Sequence, residues 1–429
     1  MQAMAQSTWA CRVITEGERV MTSLRTNVCV VGGGPAGLLL GLLLAKRGAD
    51  IIVLEGHETF DREFRGEVLQ PSTVHLLDEL GLLDYILAQP HSTLTEGRIR
   101  LKGQTVGGFA FKDMVPEYPY AIWMPQPIFL QALADKAAPF PNFQYWMGAK
   151  VNALIEEEGK VVGVHGTRHG KEAFEIRADV VVGADGRYSA LRRLGSFEMA
   201  YHHHDFDVIW FVIEQPPDWP NTMYISLGGE VQSLMLPKYP HHIQIGLFLP
   251  TGHWRHWREA GIATVAERVR RLDPVLADFA DRLDDFKPFF PLEGHITLVK
   301  EWARDGMLLI GDAAHTMSPA GAIGVNVALA TAAIAAQELY PLLGHGPIAQ
   351  ESLAMIQQLR EGDVRTLHRF QLGAQRVLLA QTGTNPVINW LLPKVLPLLV
   401  HSPLLPRVQR RMFFGAPLPP LDPAFSFRT

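Results

Sequence analysis

The sequence predicts an α/β protein, α+β overall. A dinucleotide-binding β-α-β fold is interrupted by an antiparallel sheet and followed by a C-terminal helical region. Three observations predict it. An apolar run meets a glycine cluster and then a helical pattern near residue 30; strand patterns follow one another without helices between about 200 and 300; a buried strand and a helix resume after 300. The 429 residues suffice for two or three domains of roughly 100–200 residues each.

In chain order, residues 1–25 lack the apolar centre of a signal peptide and read as a flexible N-terminal extension, with Met1, Met4 and Met21 each able to be a start. Asn27–Val31 is a strand, Ala36–Arg47 a helix ending at Gly48, and Asp50–Leu54 a second strand. So short a crossover makes the two strands parallel. Leu69–Ile86 has helical spacing at Val74, Leu77, Leu80 and Leu83. Gly97–Leu101 and Val106–Phe111 read as strands, Pro127–Lys136 as a helix, Ala149–Leu154 and Lys160–Gly166 as a strand pair, and Asp179–Val182 as a buried strand. Val208–Ile213, Val231–Leu236 and Ile243–Phe248 predict the antiparallel sheet. Ala263–Phe279 is helical, Met307–Ile310 a strand and 325–340 a helix. The division expected is an extension over 1–25, a discontinuous dinucleotide-binding domain over 26–94, 120–200 and 290–345, a substrate-binding sheet domain over 95–119 and 201–289, and a C-terminal helical cap over 346–429.

Composition narrows the function. With 47% apolar and 19% charged residues the chain is not intrinsically disordered, and a net charge of −5 argues against a protein that lives on nucleic-acid phosphates. Two cysteines, Cys11 and Cys29, build neither a disulfide framework nor a cysteine-rich metal site, which points to a reducing, cytoplasmic setting. Ala313–Gln337 holds no Asp, Glu, Lys or Arg, yet its His, Ser, Pro and glycines fit a buried loop-to-helix segment rather than a membrane span. Pro386–Val400 is broken by Pro393 and Pro397 and contains Lys394. With Met412–Phe414 and with Arg407, Arg410 and Arg411 beyond it, that region reads either as a cap on the core or as a surface touching lipid, a peripheral membrane contact.

Three motifs carry the chemistry. Gly32, Gly34 and Gly37 fit G-x-G-x-x-G between a strand and a helix: Gly32 for the tight turn, Gly34 for close approach of a pyrophosphate, Gly37 for helix–strand packing. Pro35 and Ala36 open the helix, whose free N–H groups and dipole favour phosphate. Glu55, at the end of the second strand, can accept hydrogen bonds from ribose hydroxyls and disfavours a 2′-phosphate, leaving FAD or NAD. Asp185-Gly186-Arg187-Tyr188-Ser189-Ala190-Leu191-Arg192 and Gly311-Asp312-Ala313-Ala314-His315 each follow a buried strand. Taken alone, Asp185 and Ser189 are ordinary turn and cap residues.

In this order the three motifs resemble those of class A flavin monooxygenases of the para-hydroxybenzoate hydroxylase type, over about residues 26–345. The resemblance implies a Rossmann-like FAD-binding domain. It implies cofactor contacts from Arg65, in Arg65-Gly66-Glu67-Val68-Leu69, from Gln126 with Leu133, and from Val151 beside the adenine. Asp185 and Gly311 belong to the second and third motifs, Asp312 would hold ribityl hydroxyls, and Gly321, Gly324, Val325 and Asn326 would pass close to the flavin ring. The implied reaction is FAD-dependent: NAD(P)H, a transient co-substrate without its own fingerprint here, reduces the flavin, and a C4a-hydroperoxide formed with O2 delivers one oxygen atom to a small molecule. The flavin carries the chemistry, so no catalytic side chain is assigned.

The apolar texture of the sheet region favours a lipophilic or aromatic substrate walled by Trp210, Met235, Leu247 and Pro319. A prenyl-chain reductase, a halogenase or a non-catalytic flavin binder remain alternatives, although the halogenase signature W-x-W-x-I-P is absent. Thr331 stands where many of the family carry Asp and receives no role. His202–His204 and His241–His242 read as surface loop rather than metal ligands, and Trp254 and Trp257 as packing. His315 reads as a proton carrier or a structural hydrogen-bonding residue.

Overall fold

The structure, a computed structural model, describes residues 12–16, 19–60, 68–217, 219–220, 222–227, 231–319 and 321–380, with 390–391, 394, 410–411, 415 and 417–428. It is a mixed α/β protein with three sheets among these residues.

The nine-stranded sheet centres on Arg19–Val31, with Glu172–Gly183 parallel on one side and Ile51–Leu54 parallel on the other. Phe143–Trp146 extends it beyond Ile51–Leu54, and Ala149–Glu157 with Lys160–Arg168 forms an antiparallel hairpin on the first half of Glu172–Gly183. The second half of that strand pairs instead with Met307–Leu309. The central strand begins at Arg19 and pairs with Arg12–Glu16, so residues 12–16 and 19–25 are sheet rather than a flexible extension.

Helix Pro35–Lys46 is apolar all round because it is buried all round, between this sheet and the helices Gln126–Ala137 and Gly324–Leu339. Leu69–Ile86 is two helices, Pro71–Glu79 and Leu83–Leu87, parted at Gly81, whose φ is +66°. Ala263–Phe279 is likewise interrupted. Helix Ile262–Leu272 stops before Pro274, the Asp273 carboxylate caps a 3-10 turn through the Val275 N–H, and Ala277–Asp281 follows.

The eight-stranded sheet runs in the order His315–Thr316, Phe290–Val299, Met199–Glu214, His242–Pro250, Gln232–Lys238, Met223–Leu227, Glu96–Leu101 and Gln104–Ala110. Phe290–Val299 thus belongs to this sheet and not to the nine-stranded one. One pair, Met223–Leu227 with Glu96–Leu101, is parallel, because those strands come from two separate chain segments and no hairpin joins them. His202–His204 lie within strand Met199–Glu214, not in a loop. Val68–Leu69, Ala121–Trp123 and Ser92–Leu94 form the third sheet.

Helix Gln350–Ala380 packs across Gly324–Leu339. Residues 417–428 carry no regular secondary structure apart from the 3-10 turn Pro423–Phe425 and lie on the first helix, where Asp422 pairs with Arg47 at 2.7 Å and Phe425 is buried. The cap expected over 346–429 is therefore helical over Gln350–Ala380 and irregular over the described residues 417–428. Of the apolar stretch 387–400 only Trp390, Leu391 and Lys394 are described; the rest, with Met412–Phe414 and Arg407, lies outside the described residues. No described helix is long and apolar enough to cross a membrane.

Candidate cofactor and substrate site

Three adjacent parallel strands bring the motifs together. Val31, Gly183 and Leu309 sit side by side at the strands' carboxyl ends, where open α/β sheets bind ligands. The Ala184 N–H donates to the Val31 carbonyl at 2.7 Å and the Ile310 N–H to Gly183 at 2.9 Å, so the three motif loops leave the sheet at one level.

In the glycine turn each position has its own constraint. Gly32 has φ +114°, and a Cβ there would stand 2.3 Å from the Ala184 carbonyl oxygen. At Gly37 it would stand 2.0 Å from the Gly32 oxygen. At Gly34 it would meet nothing within 4 Å among the described residues, so this backbone faces an open cradle. Gly34 is the N-cap and Pro35 opens the helix, its missing N–H costing nothing there.

Glu55 is buried, and both oxygens are aimed by backbone: Oε2 accepts from Gly33 N–H and Oε1 from His57 N–H, each at 2.9 Å. A carboxylate has about four lone-pair sites, the kind of acceptor that ribose hydroxyls require. The Ala149 N–H donates to the Glu55 carbonyl at 2.8 Å, which sets half-buried Val151 two residues from that strand end. Gln126 is buried at the start of the helix packed on Pro35–Lys46. Arg65 lies outside the described residues.

The second motif braces the third. Asp185 accepts from the Ser189 hydroxyl and, at 3.0 Å, from the Leu191 N–H; Ser189 caps Ala190–Leu194 through the Arg192 N–H. Arg192 donates to the Ala313 carbonyl at 2.9 Å, and the Arg187 Nε lies 3.5 Å from Asp312 Oδ2. The Asp185 carboxylate thus serves its own helix.

Gly311, with φ +58°, fits between Ala36 and Ala328, whose Cβ atoms would each lie 3.4 Å from an added Cβ. Half-buried Asp312 faces the first turn of helix Gly324–Leu339: its Oδ1 lies 3.9 Å from where a Gly324 Cβ would be. Gly321 is exposed, and Pro319, Gly324 and Val325 are partly open. Asn326 is buried with its carboxamide bonded to Val68, Gln70, Thr73 and Ala322. That role, a cross-link inside the chain, did not show in the sequence.

His315 turns away from the motif turn. It is buried against the Trp302 ring, with Nε2 3.3 Å from the Thr331 hydroxyl. Burial first, then the neighbouring His368 and Arg360, push its pKa down to about 3. It is a neutral structural residue under helix Gln350–Ala380. Thr331, given no role by the sequence, joins His315 to Arg360, and Gln371 bonds both the N–H and the carbonyl of Ser318. Such contacts leave no sequence signal because their partners lie on a separate helix without a motif.

The residues expected to wall the substrate divide between two faces. Trp210 points to the face that packs with Val68, Leu94, Trp123 and Ala322 of the glycine loop. Met235 and Leu247 point to the opposite face, buried beneath the helices His253–Glu259 and Ile262–Leu272 together with Trp254 and Trp257. Strand alternation separates them, and the face reached by the glycine loop is lined instead by Leu234, Leu236 and Phe248.

The residues fit FAD: a glycine cradle at a helix N-terminus could take the pyrophosphate, the Glu55 carboxylate could take a ribose, Asp312 could take the ribityl chain, and a second helix N-terminus at Gly324 could face the ring. Residues 25–349 match the family described as FAD binding domain. The chain is 35% identical over 392 residues to the 6-methylpretetramide 4-monooxygenase of Streptomyces rimosus, covering 91% of this chain and 92% of that one. It is 25% identical over 386 residues to the p-hydroxybenzoate hydroxylase of Acinetobacter baylyi, covering 82% and 88%. The p-nitrophenol 4-monooxygenase PnpA of Pseudomonas putida shares the fold, with a TM-score of 0.75 at 19% identity over 94% of this chain and 100% of that one. The chain belongs to the FAD-binding-domain family and is a class A FAD-dependent monooxygenase.

Proposed function

We propose that this monooxygenase hydroxylates a flat, lipophilic aromatic molecule, taking its electrons from NAD(P)H and its oxygen from O2. The observation that carries the reading is the apolar face of Trp210, Leu234, Leu236 and Phe248, which shares one cluster with Ala322 of the glycine loop. The 35% identical relative that acts on 6-methylpretetramide supports an aromatic polycycle over a small charged acid.

Bound FAD would supply hydride acceptance and oxygen activation. The chain's own residues do the rest. The N–H groups after Gly34 hold the pyrophosphate, Glu55 the ribose and Asp312 the ribityl hydroxyls. The N-terminus of Gly324–Leu339 offsets negative charge at the ring's pyrimidine end. Val151, Gln126, Arg65, Gly311, Gly321, Val325 and the backbone of Asn326 complete the cofactor contacts, and Pro319 borders the substrate. In this reading residues 26–94, 120–198 and 300–345 hold the cofactor, while 95–119 and 199–299 hold the substrate. The apolar face excludes water and orients the ring to be oxygenated. A cytoplasmic setting follows from the two cysteines alone.

The test is purified, FAD-loaded protein given NADH or NADPH, isotopically labelled O2 and 6-methylpretetramide. One labelled oxygen atom in the product supports the reading. Reductant oxidation that yields only peroxide with every aromatic ligand tried rejects it.

A further inference from the structure

We propose that a cavity between three helices is a second small-molecule site, selective for a planar primary amide with an apolar body. The cavity, about 130 Å³, lies between Pro71–Glu79, Gly324–Leu339 and Gln350–Ala380, with Gly415, Pro417 and Leu418 on its remaining side. The glycine turn, Glu55, Asp312 and Trp210 do not line it. Its bulk approaches the roughly 150 Å³ of a protein cavity that accepts benzene.

Two polar groups on its wall keep hydrogen-bonding capacity that is unused among the described residues. Gln70 is only 5% exposed; its Nε2 donates to the Gly321 carbonyl at 3.0 Å, while its Oε1 is buried and, among the described residues, accepts nothing. Arg360 is 2% exposed, and its guanidinium reaches Thr331 through Nε at 3.5 Å and Asp363 through one terminal nitrogen at 3.3 Å. Among the described residues, its other terminal nitrogen bonds nothing. An occupant must therefore donate to Gln70 and accept from Arg360. A primary amide does both in one plane. A carboxylate would suit Arg360 but set its oxygens against Gln70 Oε1 and Asp363. Leu76, Val327 and Leu367, one from each helix, receive the apolar body.

The probe is benzamide, titrated calorimetrically into the FAD-loaded protein. A small ligand so held binds with a Kd of about 1 mM or below, and benzoate binds about 10-fold more weakly. Ala330 lines the cavity, so Ala330→Leu fills it: benzamide binding is lost while FAD content and Tm are kept. If that variant does not fold, Gln70→Leu, which removes the acceptor, is read in its place. Water is the competing occupant. No heat with benzamide up to about 20 mM, equal affinity for benzoate, or undiminished binding in the filled or acceptor-free variant overturns the proposal.

Discussion

Gln70 and Asn326, 256 residues apart, are joined by a hydrogen bond of 2.7 Å from the Gln70 N–H to Asn326 Oδ1. The same oxygen takes the Thr73 hydroxyl at 2.6 Å, and Nδ2 donates to Val68 at 3.1 Å and Ala322 at 2.8 Å. The carboxamide's hydrogen-bonding capacity is used in tying the segment after Val68 to the glycine loop. Asn326→Ala strands buried partners on both sides and lowers stability by about 2–4 kcal/mol. A thermal unfolding midpoint unchanged from the parent protein would count against this cross-link.

Gly34 and Gly37 separate binding from folding. Open space surrounds a Cβ at Gly34, where the backbone is extended at φ −80°, so Gly34→Ala folds normally. Its methyl group occupies the phosphate cradle and weakens FAD binding about 10-fold or more. At Gly37 the 2.0 Å approach to the Gly32 oxygen forces the helix off the turn, at about 3 kcal/mol or more. Circular dichroism and the FAD content of both purified variants check the contrast. Two equally destabilised proteins would refute it.

Asp312 is held 3.5 Å from Arg187 Nε at the mouth of the Gly324 helix. Asp312→Ala removes the charged acceptor proposed for the ribityl hydroxyls, a loss of about 1.5–3 kcal/mol, or roughly 10- to 150-fold in FAD affinity. Protein that purifies with its full complement of flavin would contradict that assignment.

The turn, the strand-ending acid and the three motifs were legible because each depends on short-range chemistry: a positive φ at Gly32 and Gly311, a carboxylate at the end of a strand, a cap at Ser189. Face assignment was not. Trp210, Met235 and Leu247 are all buried apolar residues on neighbouring strands, and which face each takes follows from register, as in Trp210 opposite Gly246 and Met235 opposite Ile245. The Asn326, Thr331 and Gln371 contacts depend on partners far along the chain. The strand at 12–16 was missed because a polar edge hairpin has no apolar run to mark it.

His315 and His368 make the fold acid-sensitive. Burial is the first cause of both depressed values, about 3 for His315 and about 4 for His368 against 6.5 for a free imidazole. Both stay neutral in the folded chain while the unfolded chain takes up protons. Their contribution is fully present above pH 6.5 and is lost as pH falls toward 4 and then 3, by up to about 1.4 kcal/mol per pH unit for each histidine. Denaturation followed between pH 7 and about pH 4 reads the slope, and His368→Gln flattens it. A slope identical in that variant assigns the acid sensitivity to other groups.

Trp210 and Leu247 lie on adjacent strands but on opposite faces of one sheet, and in the proposed reading that difference separates a substrate wall from a core residue. Leu247 is fully buried beneath the covering helices, so Leu247→Ala leaves a cavity and costs about 2–5 kcal/mol of stability. Substrate-dependent NAD(P)H oxidation by the protein that remains folded keeps its KM. Trp210 retains 7% exposure on the face toward Trp123 and Ala322. Trp210→Phe keeps an aromatic body there but shortens the wall, so KM for a polycyclic substrate rises by about 10-fold, the worth of one or two lost methylene-sized contacts. Its Tm falls less than that of Leu247→Ala. Were KM to follow Leu247 and stay indifferent to Trp210, the substrate would have to enter from the helix-covered side, and the apolar face beside the glycine loop would be ordinary core.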